Sequence, residues 1–207
     1  MASESGSFVR LDRCMVSVPS VPAATSLKQR LLGRGSGMID EIVLLSDISL
    51  LAEAGERIGI VGRNGAGKTT LLRLIAGIYP PIRGTRVVAG DIAPMLSLGG
   101  GLDPELSVRS NIRIGLINDD RYFAYSAELC RDILEFAGLS EQPDIPLRRL
   151  SSGYQARFSF ALSLLQRPEI LLLDEVFAPG DAKFVEKARA EMRKRFEVTP
   201  ILFTASH

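Results

Sequence analysis

No apolar run in this 207-residue sequence approaches the ~18 residues that cross a bilayer, and its first residues hold no basic stretch followed by an apolar one. The chain is therefore expected to be neither inserted nor exported, so work at a membrane would require docking onto something that is inserted. An excess of charge of one sign is also missing, with 25 Lys plus Arg against 24 Asp plus Glu. Nucleic-acid binders usually carry a marked basic excess, and no nucleic-acid partner is expected. The two cysteines, Cys14 and Cys130, lie far apart with neither CxxC nor metal-ligand spacing. They read as packed free thiols of a reducing cytoplasm. Histidine occurs once, at His207, and no internal repeat is present.

What the sequence does hold is Gly62-Arg63-Asn64-Gly65-Ala66-Gly67-Lys68-Thr69, the pattern G-x-x-x-x-G-K-T. The apolar run Arg57 to Val61 precedes it, and helix-forming residues from Thr70 to Ala76 follow. A strand entering such a loop turns backbone N–H groups around a phosphate chain, and the next helix aims its positive dipole end at the same point. Lys68 is expected on the β- and γ-phosphates, the Thr69 hydroxyl on Mg²⁺, and Thr70 among the nucleotide contacts.

The length suits one domain, or a domain with a small added lobe. Phe8 to Val18 alternates loosely and reads as an edge strand stopped by Pro19 and Pro22. A short amphipathic helix is expected over residues 26–32, then a Gly-rich stretch over 33–37, and a strand from Ile42 to Leu51. The P-loop helix should stop at Gly77. Residues 101–149 turn helical and more polar, with the clearest helix from Ser126 to Ala137. Tyr154 to Gln166 is a second helix, rich in Phe, Ala and Leu. Ile170 to Leu173 is a wholly apolar run ending in Asp174 and Glu175, the pattern of a buried parallel strand with acids at its C-terminal end. Phe184, Ala188, Met192 and Phe196 repeat at i+4, one buried stripe of a helix. A last strand, Ile201 to Phe203, leads to His207.

The order of these pieces narrows the class. Leu150-Ser151-Ser152-Gly153-Tyr154-Gln155 opens a helix with small residues, shortly before the strand that ends in Asp174-Glu175, and a histidine follows the next strand. From about residue 8 onward the chain resembles the ATP-binding-cassette (ABC) ATPases, whose signature is L-S-G-G-Q. The resemblance implies an α/β P-loop (RecA-like) core over 45–100 and 150–207, an N-terminal antiparallel β lobe over 8–44, and a helical subdomain over 101–149. It also implies ATP and Mg²⁺ as ligands. A second copy would form a head-to-tail dimer in which Ser151, Ser152 and Gly153 close over the nucleotide held by the other copy's loop. Asp174 would hold Mg²⁺, Glu175 would align or deprotonate the attacking water, and His207 would contact the γ-phosphate. A helix N-terminus suits the capping task, since it offers free N–H donors and a positive dipole end.

Local stretches are similar to one branch, the ATPases of bacterial O-antigen, capsule and teichoic-acid exporters. Residues 26–32 look like a short helix found there, and Met95 to Ser107 resembles L-L-E-L-G-A-G-F-x-P-E-L-T. Arg109 to Ile112 is close to G-R-E-N-I, and Phe177 to Asp181 resembles L-A-V-G-D, with Asp181 as the acid facing across the dimer. The branch implies an integral-membrane permease as partner, a lipid-linked polysaccharide as cargo, and a peripheral place on the cytoplasmic face of the inner membrane. Three departures carry expectations. Ser97 stands where a Gln or Glu would sense Mg²⁺, with a shorter reach and no charge. Val18 stands near the place of the aromatic that stacks on adenine, a loss of about 1–3 kcal/mol by analogy with base stacking. The α-carboxylate falls on His207 itself, an anion expected to oppose an approaching γ-phosphate and to slow hydrolysis.

Rival readings share some of these motifs. A chromosome-maintenance ATPase needs a long coiled coil between loop and signature, and the 101–149 insert has no heptads. A translation-associated ATPase needs two cassettes in one chain. A non-catalytic ATP-gated subunit stays open on Ser97, Val18 and the terminus, and Lys68 and Glu175 speak against it.

Overall fold

The computed structural model describes residues 6–20, 41–96, 102–118, 125–165, 167–174 and 181–206. The expected helix at 26–32 lies outside them. Strands β1 (Phe8–Pro19), β2 (Glu41–Glu53) and β4 (Arg83–Ala89) form an antiparallel sheet in the order β2-β1-β4. Strand β1 is thus the central strand, not an edge. Val9, Leu11, Cys14 and Val16 are all buried, and β4 covers the side of β1 that a local reading leaves open. The lobe boundary drawn at residue 44 also shifts, because β2 continues to Glu53 and β4 comes from within the 45–100 span. The sheet is irregular at Arg13, where φ is +47° and the pairing slips on both sides. Gly84 of β4 (φ +82°) fits that kink as no other residue can, since a Cβ there would stand 2.4 Å from the carbonyl oxygens of Asp12 and Arg13.

The second sheet is parallel, in the order β3-β7-β6-β5, built from β3 (Arg57–Val61), β5 (Ile92–Met95), β6 (Ile170–Leu173) and β7 (Ile201–Ser206). Pro94 has no N–H to give the ladder, and it sits on the edge strand β5. Strand β6 is buried along its whole length, as its apolar run requires. Val61 lies opposite Ser206, and Leu173 opposite both Thr204 and Met95, so the strands' C-terminal ends meet along one edge. Ligand crevices of parallel sheets lie at that edge.

Helix α1 (Lys68–Ala76) follows β3 and buries Leu72, Leu74 and Ile75 between the two sheets. Helices α2 (Val108–Asn118) and α3 (Ala127–Ala137) make the helical subdomain, and Ser126 caps α3 by accepting the Leu129 N–H at 3.0 Å. Helix α4 (Ser152–Ser163) is apolar on opposite sides. Phe158 enters the core of the helical subdomain, whereas Phe160 packs with Phe184, Ala188 and Met192 of α5 (Ala182–Val198) against the parallel sheet. Two residues span about 200° of helix, which is how neighbouring phenylalanines serve two cores.

Candidate functional site

Helix α1 begins without a side-chain cap and without an acid in its first turn, so its leading N–H groups and dipole face the loop 62–67. Gly67 at its start has φ +93°, and a Cβ there would come within 3.0 Å of Leu45 Cδ2. Lys68 lies along the loop, its Nζ donating to the carbonyls of Gly62 (2.6 Å) and Arg63 (3.3 Å). At the other end of α1, Arg86 of β4 donates twice to the Ile75 carbonyl, at 3.0 and 2.6 Å. Burial lowers the Arg86 pKa from its ordinary value, a cost the helix-end carbonyl offsets. The loop helix is therefore held by the β lobe as well as by its own core residues.

Across the strand edge, the Thr69 hydroxyl donates to Asp174 Oδ2 at 2.5 Å. These residues stand 105 apart in sequence, and the parallel pairing of β6 and β7 with β3 brings them together. A hydroxyl and a carboxylate oxygen beside an anion cradle are the hard donors that Mg²⁺ takes, so the residues fit that ion. Glu175, Ser97 and His207 lie outside the described residues. The strand ends that lead to them, Leu173, Met95 and Ser206, all belong to the same edge.

Ser151 is the N-cap of α4, its Oγ accepting the Tyr154 N–H at 3.4 Å. Ser151 and Ser152 are exposed, and a Cβ on Gly153 would meet only Ser151 Oγ, at 3.9 Å. Gln155 fixes the turn behind them by donating to the carbonyls of Leu147 (3.2 Å) and Leu150 (3.0 Å). Among the described residues, no hydrogen bond joins Ser151–Gly153 to residues 62–69. The chain thus presents two helix starts flanked by small residues, and the second opens to solvent. Residues 45–178 match the family described as ABC transporter.

The chain belongs to the ABC transporter family. Among its relatives, the O-antigen export system ATP-binding protein RfbE of Yersinia enterocolitica is 40% identical over 176 residues, covering 85% of this chain and 74% of that protein. The capsule polysaccharide export ATP-binding protein CtrD of Neisseria meningitidis is 39% identical over 169 residues, covering 79% and 75%. The O-antigen export protein RfbB of Myxococcus xanthus is 41% identical over 165 residues, 79% of this chain but only 38% of its own. In structure, the chain is similar to the dimeric post-hydrolysis state of the ATP-binding cassette MJ0796 bound to ADP and Pi. That match has a TM-score of 0.70 at 22% identity and covers 96% of this chain and 88% of the other, a likeness of fold.

Two site features of this ABC cassette escape a reading of its sequence. Asp181 accepts the Phe184 N–H on Oδ1 at 2.9 Å, capping α5, and the Arg157 guanidinium on Oδ2, also at 2.9 Å. That N–H is the main cause holding the Asp181 carboxyl below the ordinary aspartate range, with Arg157 and Lys183 adding to it. A polar cluster under the signature is the other. Buried Asn111 donates to the carbonyls of Asp103 (2.9 Å), Leu106 (3.3 Å) and Ser107 (3.1 Å) and accepts the Asp103 N–H at 2.8 Å. These bonds hold the backbone from Asp103 to Ser107, and Pro104 within that stretch lines a cavity of about 280 Å³ that also reaches Ser152 and Gln155. The signal for Arg157 was its place one turn after Tyr154, and nothing in the sequence pointed to its partner 24 residues on.

Proposed function

We propose that this cassette is the ATP-hydrolysing subunit of an exporter that moves a lipid-linked polysaccharide across the cytoplasmic membrane. The observation that carries hydrolysis is the Thr69–Asp174 contact at the strand edge, directly after the loop lysine. The polysaccharide assignment rests on relatives named for O-antigen, capsule and teichoic-acid export. Of the two readings of the sequence, the hydrolysing exporter subunit fits those relatives and a non-catalytic gate does not.

The loop N–H groups and Lys68 bind the phosphates, and Arg63, Asn64, Ala66 and Thr70 complete the nucleotide contacts. Thr69 and Asp174 would hold Mg²⁺, with Ser97 in the sensing position. Bound there, the ion would supply positive charge against the transferring phosphoryl group. Glu175 aligns the attacking water and takes its proton. His207 donates to the γ-phosphate. Ser151, Ser152 and Gly153 cap the nucleotide of a second copy, which accounts for an exposed helix start carrying small residues. Nucleotide-driven closing and opening passes through residues 97–111 and the cavity beside α4 to an integral-membrane permease, which places the cassette on the cytoplasmic face of the inner membrane. No helix among the described residues is long and apolar enough to cross a membrane.

The test uses Glu175→Gln. This variant is expected to bind ATP and accumulate as a dimer on gel filtration, with hydrolysis lost. A wild type that shows no turnover even with its permease, recovered from detergent-solubilised membranes, would reject the reading.

A further inference from the structure

A second cavity, of about 200 Å³, lies in the helical subdomain and has no task in the scheme above. Helix α3 supplies one wall with Ala127, Cys130, Arg131 and Leu134, which recur at i+3 and i+4 and so share a face. Arg109, in the first turn of α2, supplies a second wall. Ser140, in the turn that leaves α3, supplies a third. These walls are tied together. The Arg109 N–H donates to the Pro143 carbonyl at 2.9 Å, and the Leu139 N–H to the Leu134 carbonyl at 2.7 Å.

The polar side chains that line this cavity can all donate hydrogen bonds. Among the described residues, no aspartate or glutamate lines it. Asp144 accepts from Arg109 Nε at 2.9 Å and Nη2 at 3.5 Å, which fixes the guanidinium plane without using its whole fork. Arg131 is exposed and makes no ion pair among the described residues. Glu128, Asp132 and Glu135 each follow a lining residue by one position, about 100° round α3. Buried Cys130 and Leu134 add an apolar surface. Donors on three separate elements suit a tetrahedral phosphate, whereas a flat carboxylate is satisfied by one arginine fork in a single plane. Small-molecule clefts begin at about 300 Å³, so this volume takes a phosphate with a short carbon stem and not a nucleotide.

We propose that this cavity binds the phosphate group of a small, soluble phosphomonoester. Arg131 supplies unpaired positive charge, Arg109 a pre-set fork and Ser140 a hydroxyl donor, and the carbon stem lies against Ala127 and Leu134. The cavity shares no residue with the loop 62–69, and the inference does not rest on the export reading. Because α2, α3 and the turn after α3 all contribute, an occupied cavity ties the helical subdomain together. Binding then registers as added stability.

The experiment uses the whole chain with excess ADP and Mg²⁺, so that the loop 62–69 is filled before any probe is added. Glycerol 3-phosphate is the probe, with glycerol and with sodium chloride of matched ionic strength as controls. Melting temperature and hydrogen exchange of residues 127–143 read the binding. Wild type should melt higher as glycerol 3-phosphate rises, with exchange slowed in those residues, and neither control should reproduce this. R131Q should bind the probe about tenfold or more weakly, while its unliganded melting temperature stays at the wild-type value. R131K keeps the charge without the fork and should recover only part of the affinity, and S140A should lose less than R131Q. Equal responses in wild type and R131Q would overturn the inference and assign the anion to another basic surface. An equal response to sodium chloride would overturn it too, as general charge screening. So would Arg131-dependent capture of phosphatidic-acid vesicles without any response to glycerol 3-phosphate, which would make the ligand a lipid headgroup.

Discussion

At Thr69 and Asp174 a hydroxyl and a carboxylate meet at 2.5 Å with the loop lysine beside them. Asp174→Asn keeps the size and the hydrogen-bond acceptor and removes the charge. Hydrolysis in Asp174→Asn is expected to fall by about 100-fold or more, the scale of losing one fixed electrostatic partner of a transition state. A titration of rate against Mg²⁺ should show the saturation point moved upward. A second expectation concerns the base. Val18 pairs with Ile42 on β2 and offers no ring for stacking. ATP and GTP should therefore bind within about tenfold of each other, a difference of about 1.4 kcal/mol. Competition of the two nucleotides for the wild-type protein measures it directly, and a large preference for ATP would contradict it.

The sign of the Asp181 shift also gives a pH expectation. Its folded-state pKa is lowered, so the stabilisation is fully present above the unfolded value and disappears as pH falls through the lower, folded one. The difference in melting temperature between wild type and D181N should stay level from pH 8 to pH 6 and close only in acid, below the ordinary aspartate range. Thermal denaturation across a pH series reads it.

Among elements, helices α1, α3, α4 and α5 were legible because each announces itself locally, whereas α2 was read only as part of a helical stretch. Ser126 and Gly138 bracket α3, and the i+4 stripe of Phe184, Ala188 and Met192 marks α5. Strands β4 and β5 were not. Gly84, Thr85 and two arginines break the apolar pattern of one, and Pro94 interrupts the other. The central place of β1 depends on β4, more than sixty residues away, and local alternation carries no information about a neighbour so distant. The site divides in the same manner. The loop, the signature and the Asp174 strand are contiguous motifs, whereas the Arg157–Asp181 tie and the Asn111 cluster exist only after folding. The kink in β1 makes a stability test at this scale. Gly84→Ala places a methyl against two carbonyls at positive φ, and denaturant unfolding should show a loss of at least about 1–3 kcal/mol.

For the molecule as a whole, the starts of α1 and α4 stand apart, and among the described residues no hydrogen bond joins the second to the loop 62–69. The proposed assembly gives the second start a target on another copy, with both starts used twice. Lys68→Ala should abolish ATP-driven pairing of the Glu175→Gln protein, because the cap of one copy then finds no bound phosphate on the other. Light scattering with and without ATP distinguishes the outcomes. An equal dimer population in both would mean that contacts elsewhere hold the copies together.

Helix α4 has one further consequence, for anyone who would recombine such cassettes. Phe158 and Phe160 answer to different interiors, one helical and one sheet-backed. A chimera whose junction falls before Leu147 keeps Phe160 with α5 but gives Phe158 a foreign helical interior. A junction after Leu165 does the reverse, so the seam for grafting a new helical lobe onto this engine that keeps each ring with most of its own partners lies between Phe158 and Phe160, inside the signature helix.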